Sequence, residues 1–201
     1  MKAKILPILM LFVVITGLSK NANAATATRA DYIILNDIKA INKIEVRGNV
    51  ELFISDNATE QVKVYNKYYS EHALVQSSKG VLRITSYDAQ KLVVWVSAND
   101  LRSVSAYDNA EVRSFGKFSS IDFSVDLHNN ASATLNLDAY SANVTLSDNA
   151  KAELTGFAAE FSLVRNPGST FTNRDFSAAN YAQKRIGSYE SAKADIMAGL
   201  E

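Results

Sequence analysis

The sequence contains no cysteine. That one absence excludes disulfide staples, thiol catalysis, Cys-ligated zinc, iron–sulfur clusters and lipidation at a cysteine. Histidine is nearly missing too: His72 and His128 are the only two, too few for a His-rich metal centre. Two prolines and eight glycines leave no collagen-like or proline-rich segment. Neither sign of charge is in excess, since 21 basic and 21 acidic residues give a formal net charge of zero. No Gly-rich phosphate loop, nucleophile elbow or His-Glu-x-x-His motif occurs. What is present is a hydrophobic fraction of 47%, enough for a core, so the chain is globular rather than disordered. Its 201 residues predict one domain, at most two.

The longest apolar run, Ile5 to Ile15, is broken only by Pro7 and follows Lys2 and Lys4. Ala22-Asn23-Ala24 then places small residues where a signal peptidase inspects them, which predicts a secretory signal over residues 1–24 with cleavage after Ala24. The run is shorter than the ~20 apolar residues that span a bilayer. No later stretch approaches it, so no transmembrane segment is expected in the mature chain. Without a cysteine at the cleavage site no lipoprotein anchor is expected either. Cleavage removes Lys2, Lys4 and Lys20 and no acid, leaving 18 bases against 21 acids and a net charge of −3. A mildly acidic chain without clustered Lys and Arg gives no reason to expect nucleic acid as a partner. No basic amphipathic stretch points to a membrane surface. Residues 25–30 read as a flexible leader and 31–197 as the folded domain. The expected destination is periplasmic, outer-membrane-associated or extracellular.

Period two dominates the rest. Val50, Leu52 and Ile54 alternate with Glu51, Phe53 and Ser55, and Val62 and Val64 with Lys63 and Tyr65. Ile121, Phe123, Val125 and Leu127 alternate with Asp122, Ser124, Asp126 and His128. One apolar and one mostly polar row is the pattern of a strand with one buried face. Leu92 to Val96 is apolar on both rows, so it is either covered on both sides or exposes a patch. Asn, Asp, Gly and Ser punctuate the runs. No segment before about residue 176 has a helical period.

An internal repeat separates the possible all-β architectures. Tyr107-Asp108-Asn109-Ala110, His128-Asn129-Asn130-Ala131 and Ser147-Asp148-Asn149-Ala150 share a turn pair followed by small apolar residues on alternate positions. Weaker copies lie at Arg165-Asn166-Pro167-Gly168 and at Tyr189-Glu190-Ser191-Ala192. Asn109, Asn130, Asn149, Asn166 and Ser191 mark the units, each separated from the next by close to the length of one solenoid turn. Second strands follow near Ile121–Leu127, Ala142–Leu146 and Phe161–Leu163. This predicts an all-β, single-stranded right-handed parallel β-helix (a β-solenoid), with longer, irregular coils before about residue 100. Successive coils would lie ~4.8 Å apart. Asn109, Asn130, Asn149 and Asn166 are expected to form a structural turn ladder, because Asn accepts left-handed backbone and its amide bonds turn backbone. Calcium-binding repeats need denser Gly and Asp, so no metal and no cofactor are expected.

The segments Ile38–Ile41, Ile44–Leu52 and Val81–Ile84, with the Asp-Asn-Ala units as far as roughly residue 196, resemble the head GIN domain family. Its members are secreted bacterial proteins described as "putative autotransporter adhesins". The resemblance covers nearly all of the mature chain. It implies a β-solenoid behind a signal peptide and an adhesive role, and it supplies no catalytic residues. Asn109, Asn130 and Asn149 stand where that family's repeating turns commonly carry glycine.

Two sets of side chains remain to be weighed. Asp122, Asp126 and His128 share a strand row, a candidate for the two carboxylates facing one groove that glycoside hydrolysis needs. Alternating acids are also what any solvated strand carries, and that reading is preferred. Tyr65, Tyr68 and Tyr69 precede the repeats, and Trp95 lies on the doubly apolar run. They are possible ligand-facing residues, or they cap the open end of the solenoid. His72 reads as structural. The expectation is a non-catalytic exported binding or adhesion module of the bacterial cell envelope, with an envelope protein or glycan as partner. The alternatives are a polysaccharide lyase or hydrolase, or a purely structural envelope protein.

Overall fold

The structure, a computed structural model, describes residues 32–65 and 69–186. The signal segment, the leader, Tyr68, the side chain of Tyr69 and the Tyr189–Ile196 copy, with its marker Ser191, lie outside the described residues. The fold is all-β. Its strands are β1 (Ile33–Leu35), β2 (Lys43–Gly48), β3 (Val50–Asp56), β4 (Gln61–Val64), β5 (Ala73–Ser78) and β6 (Val81–Ser86). They continue with β7 (Leu92–Ala98), β8 (Ser103–Tyr107), β9 (Glu111–Leu127), β10 (Ser132–Leu146), β11 (Lys151–Arg165) and β12 (Thr170–Arg185). A single 3-10 turn, Tyr69–Glu71, precedes β5. All twelve strands belong to one curled sheet.

From β8 onward each strand lies parallel to the next. Ser103 pairs with Ser124, Ser132 with Glu111, and Ser132 in turn with Lys151, one coil further along the chain at each step. Like side chains therefore stack: Ala133 on Ala152, Leu135 on Leu154, Val125 on Val144 and Val144 on Leu163. Ala110, Ala131 and Ala150 are fully buried where the turns lead into the strands. Only a small side chain fits three deep at such a corner. The strands are longer than the sequence suggests, 15 to 17 residues in β9, β10 and β11, because the bends between faces do not break the hydrogen-bond ladder. Ile121 falls on such a bend. It is 76% exposed although it sits on the apolar row with buried Phe123, Val125 and Leu127. Gly156 occupies another bend at φ +98°, where a Cβ would collide with the carbonyl oxygen of Leu137 on the coil below.

Before β8 a plain succession of coils gives way to another arrangement. β2 lies between β6 and β8, and β3 lies between β7 and β9, all parallel. The coil that comes first in the chain is thus sandwiched by two later ones. β1, β4 and β5 pair antiparallel, β4 with β7 and β1, and β5 with β6. This corrects the expectation of coils that are merely longer and irregular. The open edge of the parallel stack therefore falls on β6 and β7, where β5 and β4 pair antiparallel and β1 in turn covers β4. The core runs continuously through both parts, with Ile44, Val46, Leu52, Ile54, Leu82, Ile84, Val104, Leu127 and Leu146 among its buried members.

Candidate functional site

The curled sheet buries its inner rows and turns the alternate residues outward. On β3 the inward residues are Val50, Leu52 and Ile54, which leaves Glu51, Phe53 and Ser55 on the outer face. On β7 the outward row is Val93, Trp95 and Ser97. The registers set these rows side by side: Phe53 pairs with Trp95, Trp95 with Lys63, and Phe53 with Arg113.

An aromatic platform results. Trp95 lies 4.9 Å from Phe53, nearly parallel to it, and 4.6 Å from Phe115 of β9, ring centroid to centroid. Tyr65, just past the end of β4, is 6.3 Å from Trp95. Tyr32, just before β1, is 5.4 Å from Tyr65. The five rings run across neighbouring strands of a rigid sheet. Phe115 is 61% exposed, and Tyr32 and Tyr65 are more than a third exposed. The flanks are polar. On one side the Ser55 and Ser97 hydroxyls bond each other at 2.9 Å. On the other, Arg113 Nε meets Glu51 Oε1 at 3.0 Å, and Lys91 Nζ meets Glu111 Oε1 at 2.6 Å. The hydrogen bond from Lys91, aided by Arg113 and opposed by partial burial, holds the Glu111 carboxyl below its ordinary pKa. Lys63 Nζ lies 5.5 Å from the Tyr32 ring centroid.

Of the aromatics proposed from sequence, Tyr65 and Trp95 are brought together here. Tyr32, Phe53 and Phe115 were not foreseen. Phe53 had a readable signal: a large apolar side chain between Glu51 and Ser55 on the solvent row of an alternating strand. Phe115 had none, because it falls within a register irregularity next to Gly116.

The turn positions behave differently from the expected ladder. Asn109, Asn130 and Asn149 are exposed and stand at equivalent turn positions. The side-chain bonds between coils run one residue earlier. Asn129 Oδ1 accepts from the Asp108 backbone N–H at 3.2 Å, and Asp148 Oδ2 accepts from the Asn129 N–H at 2.9 Å. Asp108, Asn129 and Asp148 hold positive φ of 64°, 60° and 58°, the left-handed backbone that Asp and Asn tolerate. Asn166 is out of step. Its N–H bonds the Leu146 carbonyl, whereas the register mate of Asn149 is Gly168.

Asp122 and Asp126 face different surroundings. Asp122 lines a cleft of about 620 Å³ with Asp100, Arg102 and Asp138. Arg102 grips Asp100 at 2.9 and 2.8 Å and lowers its carboxyl pKa. Lys117 neutralises Asp138 at 2.8 Å. Asp126 instead meets His128 Nε2 at 3.1 Å. The His128 ring stacks on Tyr107 at 4.7 Å, and Arg47 covers the other side of Tyr107 at 3.8 Å. Among the described residues no group of three or more His, Asp or Glu is placed to hold a metal, and no helix is long and apolar enough to cross a membrane.

Comparison with known proteins agrees with the all-β fold. The family profile described as "Putative auto-transporter adhesin, head GIN domain" matches residues 40–198, and the chain belongs to that family. Similar solved structures include a "putative adhesin" from Parabacteroides distasonis, 14% identical, covering 77% of both chains with a TM-score of 0.57. A "putative lipid binding protein" from the same organism is 8% identical, with 77% of both chains covered and a TM-score of 0.58. A "putative adhesin" from Parabacteroides merdae is 13% identical, covering 77% of this chain and 76% of its own, with a TM-score of 0.54. At such identities the likeness is one of fold. No curated protein matches the sequence.

Proposed function

We propose that the protein is a non-catalytic binding module of the bacterial cell envelope, exported by its N-terminal segment and working as an adhesin. Residues 31–197 form its domain, a right-handed parallel β-helix whose rigidity holds the binding face in shape. The regular stacking of like side chains from coil to coil supports that winding. The observation that carries the reading is the aromatic platform: five neighbouring rings on the outer face of a sheet, three of them more than a third exposed. Exposed aromatic clusters with polar rims are the usual anchors of recognition surfaces. Family membership supports an adhesive role. Of the cleft carboxylates, Asp100 is held by Arg102 and Asp138 by Lys117, each paired with a cation.

Two measurements test this. The exported chain, sequenced from its N-terminus, should begin at Ala25. Purified protein should bind bacterial envelope preparations saturably while releasing neither reducing ends nor unsaturated sugars from a polysaccharide panel. Turnover on any of them, or no envelope binding, overturns the proposal.

A further inference from the structure

We propose that the aromatic platform takes a neutral polysaccharide, laying successive sugar rings on Tyr65, Trp95, Phe53 and Phe115; this rests on the binding-module reading above. A pyranose ring has one face of C–H groups and an equator of hydroxyls. It calls for a continuous aromatic surface bordered by uncharged donors and acceptors. The outer face supplies both in adjacent rows. Phe53 stacks on Trp95 at 4.9 Å, and Phe115 and Tyr65 lean at 53° to it at 4.6 and 6.3 Å, so the rings form one continuous, stepped apolar surface. On one border stand Ser55, Ser97 and Gln61, the last paired in register with Ser97. The four strands that carry or adjoin these rings, β4, β7, β3 and β9, span about 14 Å at the usual interstrand spacing, room for a short run of sugar units.

Charge argues for a neutral occupant. On the opposite border Glu51 and Glu111 are matched by Arg113 and Lys91 in ion pairs of 2.6–3.3 Å. Among the described residues, Lys63 is the cation left beside the rings. An anionic lipid surface draws on clusters of about 4–8 Lys or Arg, and an acidic glycan likewise needs unpaired cations. Nor do the rings project from loop tips as membrane anchors do. They pack against one another on the sheet.

The test uses the mature chain, residues 25–201, with laminarin, xylan and mannan as neutral probes. Heparin serves as the acidic probe, and phosphatidylcholine vesicles with and without phosphatidylserine as the lipid probes. Isothermal titration should register binding to at least one neutral glycan. Trp95→Ala should weaken it about tenfold or more, equivalent to about 1.4 kcal/mol, and Trp95→Phe should restore most of it. Phe115→Ala, at an exposed ring whose removal leaves the core intact, should weaken binding several-fold without changing the melting temperature. Tyr107→Ala, on a different outer row, should leave it unchanged. Binding to vesicles or heparin alone overturns the inference, as does neutral-glycan binding that survives both Trp95→Ala and Phe115→Ala. Envelope binding that persists in wild type without any glycan binding sinks this inference and leaves the binding-module reading standing. Loss of both sinks both.

Discussion

Between Ser103 and Arg185 each strand finds its partner a single coil further along the chain. Between Lys43 and Ala98 the parallel partners are two or three times as distant in sequence, as with Lys43 and Ser103, and antiparallel strands are interleaved with them. Both regions feed the same core, yet they use different residues. The regular half fills its corners with alanine and its faces with Leu, Val and the buried rings of Phe118, Phe123 and Phe161. The first half relies on Ile, Val and Leu inside and places its large rings outside. Repetition constrains the regular half, since every coil must match the shape of the one beneath. The first half is released from that match by its antiparallel strands. Both halves turn large side chains outward, Phe115, Tyr140, Phe157 and Tyr181 in the regular one, but the first half gathers its rings around Trp95.

Cavity formation separates the regions most strongly. Leu135→Ala, at a fully stacked position of the regular half, should cost about 3 kcal/mol in chemical denaturation. Leu74→Ala on β5 of the first half, where the side chain is 52% exposed, should cost under about 0.5 kcal/mol. Comparable losses at the two sites would mean that the antiparallel strands are as tightly packed as the coils. The bends of the regular half come next. Gly156→Ala should cost about 2 to 3 kcal/mol, combining left-handed strain with collision against the Leu137 carbonyl. Gly116→Ala, also at positive φ (+76°) but facing open space, should cost about 1 kcal/mol. Equal effects would show that strain alone matters and coil-to-coil contact does not.

A smaller loss is expected at the turns. Asn129→Ala removes both the tolerance of φ 60° and the bond to the Asp108 N–H, for about 1 kcal/mol. Asn130→Ala, one residue on, should be close to neutral in the same melt. The smallest effect is electrostatic and spans both regions. Glu45 is held below its ordinary pKa by Lys43 and then Arg83, and Glu111 by Lys91 and then Arg113. A carboxyl whose folded pKa is depressed stabilises the fold above its unfolded pKa and loses that contribution as pH falls through the folded value. Thermal stability should therefore fall below about pH 4.5, by less than about 1 kcal/mol for each partly exposed pair. Glu45→Gln and Glu111→Gln should flatten that part of the profile.

Much of the regular half was legible in the sequence. Alternation identified buried Phe123, Val125 and Leu127, and the Asp-Asn-Ala units set Ala133 over Ala152 and Leu135 over Leu154. Those features are local, written in a period of two and in the recurrence of one turn per coil. The order of the first coils was not legible. That β2 is flanked by both β6 and β8 depends on pairings as remote as Lys43 with Val81 and with Ser103, which leave no periodic trace. The repeat also misplaced one turn, because Asn166 resembles the earlier markers in composition while the ladder registers Gly168 there. The platform was half legible for a similar reason. Trp95 stood out in its own strand, but its contacts with Phe115 and Tyr65 exist only once three distant strands lie side by side.

The sandwiched position of β2 and β3 bears on how the chain matures as it emerges from its N-terminus. Beyond Ser103 each new coil has a finished template waiting, so growth can proceed unit by unit. Lys43–Asp56 has no such template. It must stay unpaired along one side until Val81–Ala98 arrives, and along the other until Ser103–Ser114 follows. Closing those long loops first is entropically costly and slow. The slow step of assembly therefore belongs to the half that bears four of the five rings, and a chain cut short before residue 114 would be left with an unfinished edge.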